Sequence, residues 1–554
     1  MSQLLNDTVG GLLERIARQF PDRDALVYPD RGLRYTYREF DVETDRVARG
    51  LLRLGIRKGE HLAIWATNVP EWVILQFATA KIGAVLVTVN TSYQSHELEY
   101  VLRQSDSTTL FLVAGFKGTD YVATLRRVVP ELKEARLGVL HSASLPKLRQ
   151  AIFLGNQAPA EMLSFRDLVR FGEEVPEAAL VERKAQLKPT EVINMQYTSG
   201  TTGFPKGVML SHNNIVNNAY NIGRCMKFSE QDRLCIPVPM FHCFGCVLGT
   251  LTCVAHGAAM VPVETFTPEA VLQAVQAEKC TALHGVPTMF IAELEHPDFA
   301  NYDLSSLRTG IMAGSPCPIE VMKRVIKEMH CSEITIAYGQ TESSPVITQT
   351  RTDDPIELRV ASVGRALPEV EVKIVNPTCD SELEVGEQGE LCTRGYLVME
   401  GYYNMPEATA QAIDTEGWLH TGDLAVMDEN GYCRITGRIK DMIIRGGENI
   451  YPREVEEFLY THPKVQDVQV VGVPDRKYGE QVLACIRLKE GENGSPEEIK
   501  EFCHGQISRL KIPHYVQFVD SYPMTASGKI QKFKLREMAI KEFGLEAAAG
   551  IETA

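Results

Sequence analysis

The chain has 554 residues, 44% apolar and 23% charged, with a formal net charge of -15 at pH 7. That length exceeds a single hydrophobic core, so two or more domains are expected. The acidic balance excludes a general affinity for nucleic acid or anionic lipid, and any phosphate binding must come from local donors.

In chain order, the opening MSQLLNDTVGGLLERIARQF has no basic segment followed by a long apolar run, so no secretory signal is expected. Leu12, Leu13, Ile16, Ala17 and Phe20 recur at helical spacing up to Pro21. HLAIWA (61–66) reads as a strand, EWVILQFATAKIG (71–83) as a helix and AVLVTVN (84–90) as the next strand. Strand–helix–strand units favour a parallel sheet with helices on its faces, and the theme returns near 281–284, 309–313 and 334–338. The longest apolar stretches, 72–90 and 246–263, contain Lys81 and His256 and are expected to be core, not membrane spans. From about 360 to 435, VEVKIV, GELCTRG and GYCRITG predict antiparallel sheet. Beyond it, VQDVQVVGV and VLACIRL predict strands. A helix is expected around 496–511, with Ile499, Phe502, Ile507 and Leu510 on one side. The spacing predicts a boundary at GRIKD (437–441), giving domains 1–438 and 439–554. Thirteen scattered cysteines suit a reducing compartment better than a disulfide framework.

One loop stands out chemically: YTSGTTGFPKG, residues 197–207. In the usual mononucleotide loop a Gly precedes the lysine and a Ser or Thr follows it. Here Pro205 precedes Lys206 and Gly207 follows it, while the hydroxyls Thr198, Ser199, Thr201 and Thr202 come earlier. Gly200 and Gly203 would let the backbone wrap an anion. On these residues alone, a polar surface loop remains open. HCFGCVLGTLTCVAH (242–256) carries zinc-like spacings, but on a helix Cys243 and Cys253 would stand ~15 Å apart. They could not share an ion with bonds of ~2.3 Å, so buried thiols are expected instead.

The loop does not stand alone. PMFH (239–242), AGSP (313–316), YGQTE (338–342), TGD (421–423), GRIKDMI (437–443), RGGENIYPREVE (445–456) and SGKIQK (527–532) follow in order. The set resembles the adenylation signature of acyl-CoA synthetases, non-ribosomal peptide synthetase adenylation domains and firefly luciferases, over nearly all of 10–545. Within that superfamily KDMIIRGGENIYP and SGKIQKFKLRE most resemble medium-chain fatty acyl-CoA ligases, including the mitochondrial type. The resemblance implies an α/β fold: a large N-terminal domain of parallel-rich sheets with flanking helices and a small β-barrel-like part, then a small mobile α+β C-terminal domain. It also implies a two-step reaction. A carboxylate attacks the α-phosphate of ATP to give acyl-adenylate and pyrophosphate; the thiol of coenzyme A then takes the acyl group and AMP leaves.

The resemblance carries roles onto matching positions. Thr198, Ser199, Gly200, Thr201, Thr202, Gly203 and Lys206 would hold the β and γ phosphates. Glu342, with Thr201, would bind Mg2+, and Thr341 would reach the α-phosphate. Tyr338 and Gly339 would lie at the adenine, with Gly314, Ser315 and Pro316 on its other side. Asp423 and Arg438 would contact the ribose. Lys529 would draw carboxylate and α-phosphate together. Lys440 would be the hinge, and Gly446, Gly447 and Glu448 would receive coenzyme A. His242 would sit at the mouth of the acyl pocket.

That pocket would be lined by Phe241, His242, Phe244, Val247, Val286, Met312, Gln340 and Val346. It offers no cation for a second carboxylate, and Trp65, Trp72 and Trp418 all lie outside its stretches. A medium-length aliphatic or alicyclic monocarboxylic acid is expected. An aryl (benzoate-like) acid-CoA ligase and an acyl-AMP ligase loading a carrier protein are the alternatives. Only 25 residues follow Lys529, so no appended carrier segment is expected. A non-catalytic adenylate-binding protein would be marked by loss of Lys529, Glu342 or Asp423, and all three are present. A cytoplasmic location is expected, or the mitochondrial matrix for a processed eukaryotic protein, with no integral membrane segment; a homodimer is left open.

Overall fold

Pro70 opens and Gly83 closes the helix that follows the first predicted strand, and almost every residue between them is buried. The helix is apolar on all sides because it lies inside the protein. A computed structural model describes residues 4–135, 139–155, 157–198, 205–315, 317–445, 448–504, 506–525 and 528–546. Lys81 is fully buried near the end of this helix, and its ammonium lies 2.6 Å from both Asp41 Oδ1 and Asp45 Oδ1. Two carboxylates around one cation make its burial tolerable.

The chain divides into two compact units, Met1–Val372 with Thr393–Leu419, and Lys373–Cys392 with His420–Ala554. The first holds two large sheets. An eight-stranded sheet has a parallel centre in which Val85–Thr88 and His61–Trp65 lie between Val192–Thr198 and Thr109–Leu112. A nine-stranded sheet runs parallel through Ala259–Pro262, Arg233–Ile236, Ala282–Gly285, Thr309–Met312 and Glu333–Gly339. Helices pack between and beside them. The first, Val9–Gln19, is capped by the Thr8 hydroxyl and buries Leu12, Leu13, Ile16 and Ala17. The second apolar stretch becomes a π-helix, Phe244–Leu251, a short α-helix, Thr252–His256, and the strand Ala259–Pro262. No helix among the described residues is long and apolar enough to cross a membrane.

The second unit contains most of a four-stranded sheet built from Val370–Val375, Gln388–Gly395, Leu419–Met427 and Cys433–Arg438, in the stretch where a barrel-like part is expected; its strand order is linear. It also contains a five-stranded sheet centred on the antiparallel pair Val465–Asp475 and Gly479–Leu488. Two sequence expectations need correction. The helix expected over 496–511 ends at Cys503, because His504 turns to extended backbone (φ -61, ψ 128). Ile507 and Leu510 still pack on the same core, from chain beyond the helix. The stretch 360–435 is not sheet throughout: Pro406 starts a helix, Pro406–Ala412.

Candidate active site

Parallel strands deliver their C-terminal ends to one edge, where side chains from separate loops can meet. In the nine-stranded sheet that edge collects His242 after Arg233–Ile236, Val286 after Ala282–Gly285, and Gly314 and Ser315 after Thr309–Met312. Tyr338 and Gly339 end Glu333–Gly339, and Thr341 and Glu342 form the turn that follows. Gly314 adopts φ +90 with the Val286 side chain beside it, a backbone state costly for any residue with a Cβ. Tyr338 and Glu342 are half-buried, and Thr341 is buried.

The phosphate-loop stems come from the other sheet. Thr198 ends Val192–Thr198 and pairs with Lys206, which starts Lys206–Ser211. Ser199, Gly200, Thr201, Thr202 and Gly203 lie outside the described residues, as do Pro316, Gly446 and Gly447 and the side chain of Glu448.

Residues that sequence reasoning missed join these parts. Cys243 Sγ donates to Gln196 Oε1 at 2.9 Å, and the Gln196 amide donates to Cys246 Sγ at 3.1 Å. Burial pushes the Cys243 thiol well up, with a Thr341 hydrogen bond acting the other way. Burial likewise raises Cys246 to about 12. Both sulfurs are therefore neutral partners in a polar seam between the sheets. Cys253 Sγ faces Ala259 O, and His256 Nε2 lies 2.9 Å from Tyr220 O. Cys243 and Cys246 thus share Gln196, while Cys253 and His256 each meet a different backbone carbonyl.

Tyr402 was also missed. Its hydroxyl donates to Glu342 Oε1 at 2.8 Å, and the Lys206 ammonium sits 4.5 Å from its ring centre. Burial, and then the Glu342 charge, push this phenol well up. GYYN (401–404) held the signal, a glycine beside two tyrosines, but nothing local links it to Glu342.

The apolar candidates are buried: Phe241, Phe244, Val247, Val286, Met312 and Val346. The π-helix supplies Phe244 and Val247. Its loosened backbone is held by Gln76, which donates to Cys246 O at 2.8 Å and accepts from Thr250 Oγ1 at 2.6 Å. His284 Nε2 lies 3.1 Å from Leu248 O, and Nδ1 accepts from Ile311 N–H. Burial lowers His284 to about 4, so it bridges wall and sheet as a neutral ring. His242 is half-buried, and its Nδ1 accepts from Phe244 N–H at 3.1 Å. Gln340 is half-buried at the head of the Thr341–Ser343 turn.

In the second unit Asp423 is buried, and Arg438 Nε donates to its Oδ1 at 2.8 Å. The turn before it is fixed by Glu390, whose Oε1 accepts from Gly422 N–H and whose Oε2 lies 3.0 Å from His420 Nδ1. Lys440 is exposed in the 3-10 turn Ile439–Asp441. Lys529 is exposed at a tight turn: its N–H donates to Thr525 Oγ1, and Thr525 N–H donates to its carbonyl.

Glycine-rich loop stems from one sheet, with an acidic turn and buried apolar residues from the other, are the arrangement expected of an enzyme that activates an acid by adenylation. The AMP-binding enzyme profile matches residues 13–403, and that of the AMP-binding enzyme C-terminal domain matches 454–529. The chain belongs to the AMP-binding enzyme family. YngI of Bacillus subtilis (strain 168), which carries the name of an acyl-CoA synthetase, is 61% identical over 99% of this chain and 100% of its own. The mitochondrial medium-chain acyl-CoA ligase ACSF2 of Bos taurus is 45% identical over 98% of this chain and 89% of its own. Among solved structures, the anthranilate CoA ligase AuaEII with anthranoyl-AMP aligns with TM-score 0.86 at 28% identity, covering 98% of this chain and 99% of that one. ATP-bound MatB from Rhodopseudomonas palustris aligns with TM-score 0.83 at 26% identity, covering 97% and 100%.

Proposed function

We propose that this AMP-forming acyl-CoA ligase, whose co-substrates are ATP and coenzyme A, acts on a medium-chain aliphatic or alicyclic monocarboxylic acid. The observation that carries the reading is the buried wall Phe244, Val247, Val286 and Val346, apolar throughout and close in sequence to the acidic turn at Val346, whereas Met312 packs in a second core behind the sheet. A wall of this kind gains about 0.8 kcal/mol for each methylene it removes from water, so affinity rises with chain length until the pocket is full. Full-length relatives named medium-chain acyl-CoA ligases support the same range.

In the first half-reaction the loop from Thr198 to Lys206 holds the pyrophosphate end of ATP. Tyr338 and Gly314–Ser315 flank the adenine, and Asp423 with Arg438 takes the ribose. Glu342 fits Mg2+: it is a hard anionic oxygen donor, half-buried, with Tyr402 engaging Oε1. The ion supplies charge neutralisation for the leaving pyrophosphate. Lys529 brings carboxylate and α-phosphate together and stabilises the charge that develops between them. His242 orients the acid at the pocket mouth. The chain from about 439 onward then turns about Lys440, and the segment carrying Gly446, Gly447 and Glu448 meets coenzyme A. The compartment we propose is the cytoplasm, or the mitochondrial matrix if the protein is eukaryotic and processed; a homodimer is its proposed assembly.

A second reading, an aryl acid, is favoured by one observation: the overlay on an anthranilate CoA ligase. AMP release measured with ATP, Mg2+ and coenzyme A across linear acids from acetate to palmitate, with benzoate and cyclohexanecarboxylate, separates the two. A maximum at medium length supports the proposal. A maximum on benzoate replaces it with the aryl reading, and adenylate without thioester on every acid overturns the ligase step.

A further inference from the structure

Three segments distant in sequence meet at one phenol. Gly401–Tyr402 adds as an edge strand to Lys206–Ser211, with Val208 opposite Tyr402. Tyr403 N–H donates to Gly207 O at 2.8 Å, and Met399 N–H donates to Glu342 O at 2.9 Å. The backbone around Tyr402 is therefore stitched both to the stem of the phosphate loop and to the acidic turn. Thr409, on the helix Pro406–Ala412, fixes it from behind: its hydroxyl accepts from Tyr402 N–H at 2.9 Å. Its methyl closes on Gly401, which takes φ +132 and has no room for a Cβ (2.9 Å).

The side chain uses this rigid mount in two ways. Its hydroxyl donates to Glu342 Oε1, and its ring face holds the Lys206 ammonium. An ammonium and a carboxylate left to themselves would form an ion pair and neutralise each other. A ring face attracts the cation without taking its charge away. The phenol, 7% exposed, thus engages a cation with its ring and an anion with its hydroxyl, and among the described residues no ion pair joins the two.

We propose that Tyr402 is a positioning residue for the metal–nucleotide complex: its hydroxyl occupies one oxygen of Glu342 so that the other faces the metal, and its ring parks Lys206 for the phosphates. The inference rests on the reading of Glu342 as the metal ligand and Lys206 as a phosphate ligand.

The test is equilibrium binding of ATP to the full chain, without acid or coenzyme A, in Mg2+ and in EDTA. The ratio of the two dissociation constants reports metal coupling independently of turnover. Tyr402→Phe keeps the ring and loses only the hydroxyl. It should reduce the Mg2+ enhancement about tenfold, the worth of a hydrogen bond to a charged group, while leaving affinity in EDTA within about twofold. Tyr402→Leu should also weaken binding in EDTA, because Lys206 loses its seat. Glu342→Gln should remove the enhancement, and adding Tyr402→Phe to it should change nothing further, a non-additivity that a merely structural tyrosine would not give. Loss in Glu342→Gln with an unchanged ratio in Tyr402→Phe overturns the role of Tyr402 alone. An unchanged ratio in Glu342→Gln overturns the metal-ligand reading and the proposal with it.

Discussion

Asp423 and Arg438 face one another across the antiparallel strands Leu419–Met427 and Cys433–Arg438, and Arg438 Nε donates to Asp423 Oδ1. The guanidinium takes one carboxylate oxygen and sets the plane of the group. A carboxylate so held, on a turn pinned by Glu390, is prepared to accept from a pair of vicinal hydroxyls. Asp423→Ala should lower kcat/KM for ATP by about a hundredfold, at roughly 1.5–3 kcal/mol for a hydrogen bond to a charged group. Replacing ATP with 2′-deoxy-ATP should cost the wild type more than the variant. Steady-state kinetics with both nucleotides checks this, and equal penalties would remove Asp423 from the ribose.

Lys529 sits on a turn closed by its own backbone bonds to Thr525, with Gly528 at φ +80. These bonds anchor the backbone of a long, exposed cationic side chain. Lys529→Ala should nearly abolish acyl-adenylate formation while thioester formation from supplied acyl-adenylate falls much less. Pyrophosphate exchange and single-turnover thioester assays separate the half-reactions, and equal loss in both would contradict the role.

Lys440 lies in a turn whose backbone would have to rotate if the two half-reactions use different arrangements. Lys440→Pro fixes φ near -65°. Thioester formation should slow by an order of magnitude or more while pyrophosphate exchange persists. If exchange fails equally, the pivot lies elsewhere.

Burial lowers His284 to about 4 and His212 to about 3, against about 6.5 in an unfolded chain. Below pH 6.5 the unfolded chain takes up protons that the folded form refuses. Stability is therefore fully present above about pH 6.5 and falls toward pH 4. His284 accounts for on the order of 3 kcal/mol of that fall. In urea unfolding of the wild type and His284→Asn, the variant should show the shallower acid limb. Parallel limbs would mean that His284 is not held neutral.

The strand–helix–strand units were legible because their apolar runs and glycine stops are local in sequence, as at 61–66, 71–83 and 84–90. So were the residues that end parallel strands, since Tyr338, Thr341 and Glu342 are contiguous with the strand that delivers them. The bonds that organise the site were not. Gln196 meets Cys243 across 47 positions, Glu342 meets Tyr402 across 60, and Gln76 meets Thr250 across 174. A polar pair at such separations has no periodicity to betray it. The end of the 496–503 helix was hidden for a related reason: Ile507 and Leu510 keep helical spacing but reach the core as loop.

The π-helix Phe244–Leu251 has an evolutionary consequence. A wider turn is an ordinary helix carrying surplus chain, so losing a single codon within it would rewind the segment and re-aim the side chains it carries. Gly249 packs so closely on Ile236 that an added Cβ would lie 3.0 Å from it, so the segment's present fit depends on that glycine. If this segment lines the acid site as proposed, acid preference could then drift by length as well as by substitution.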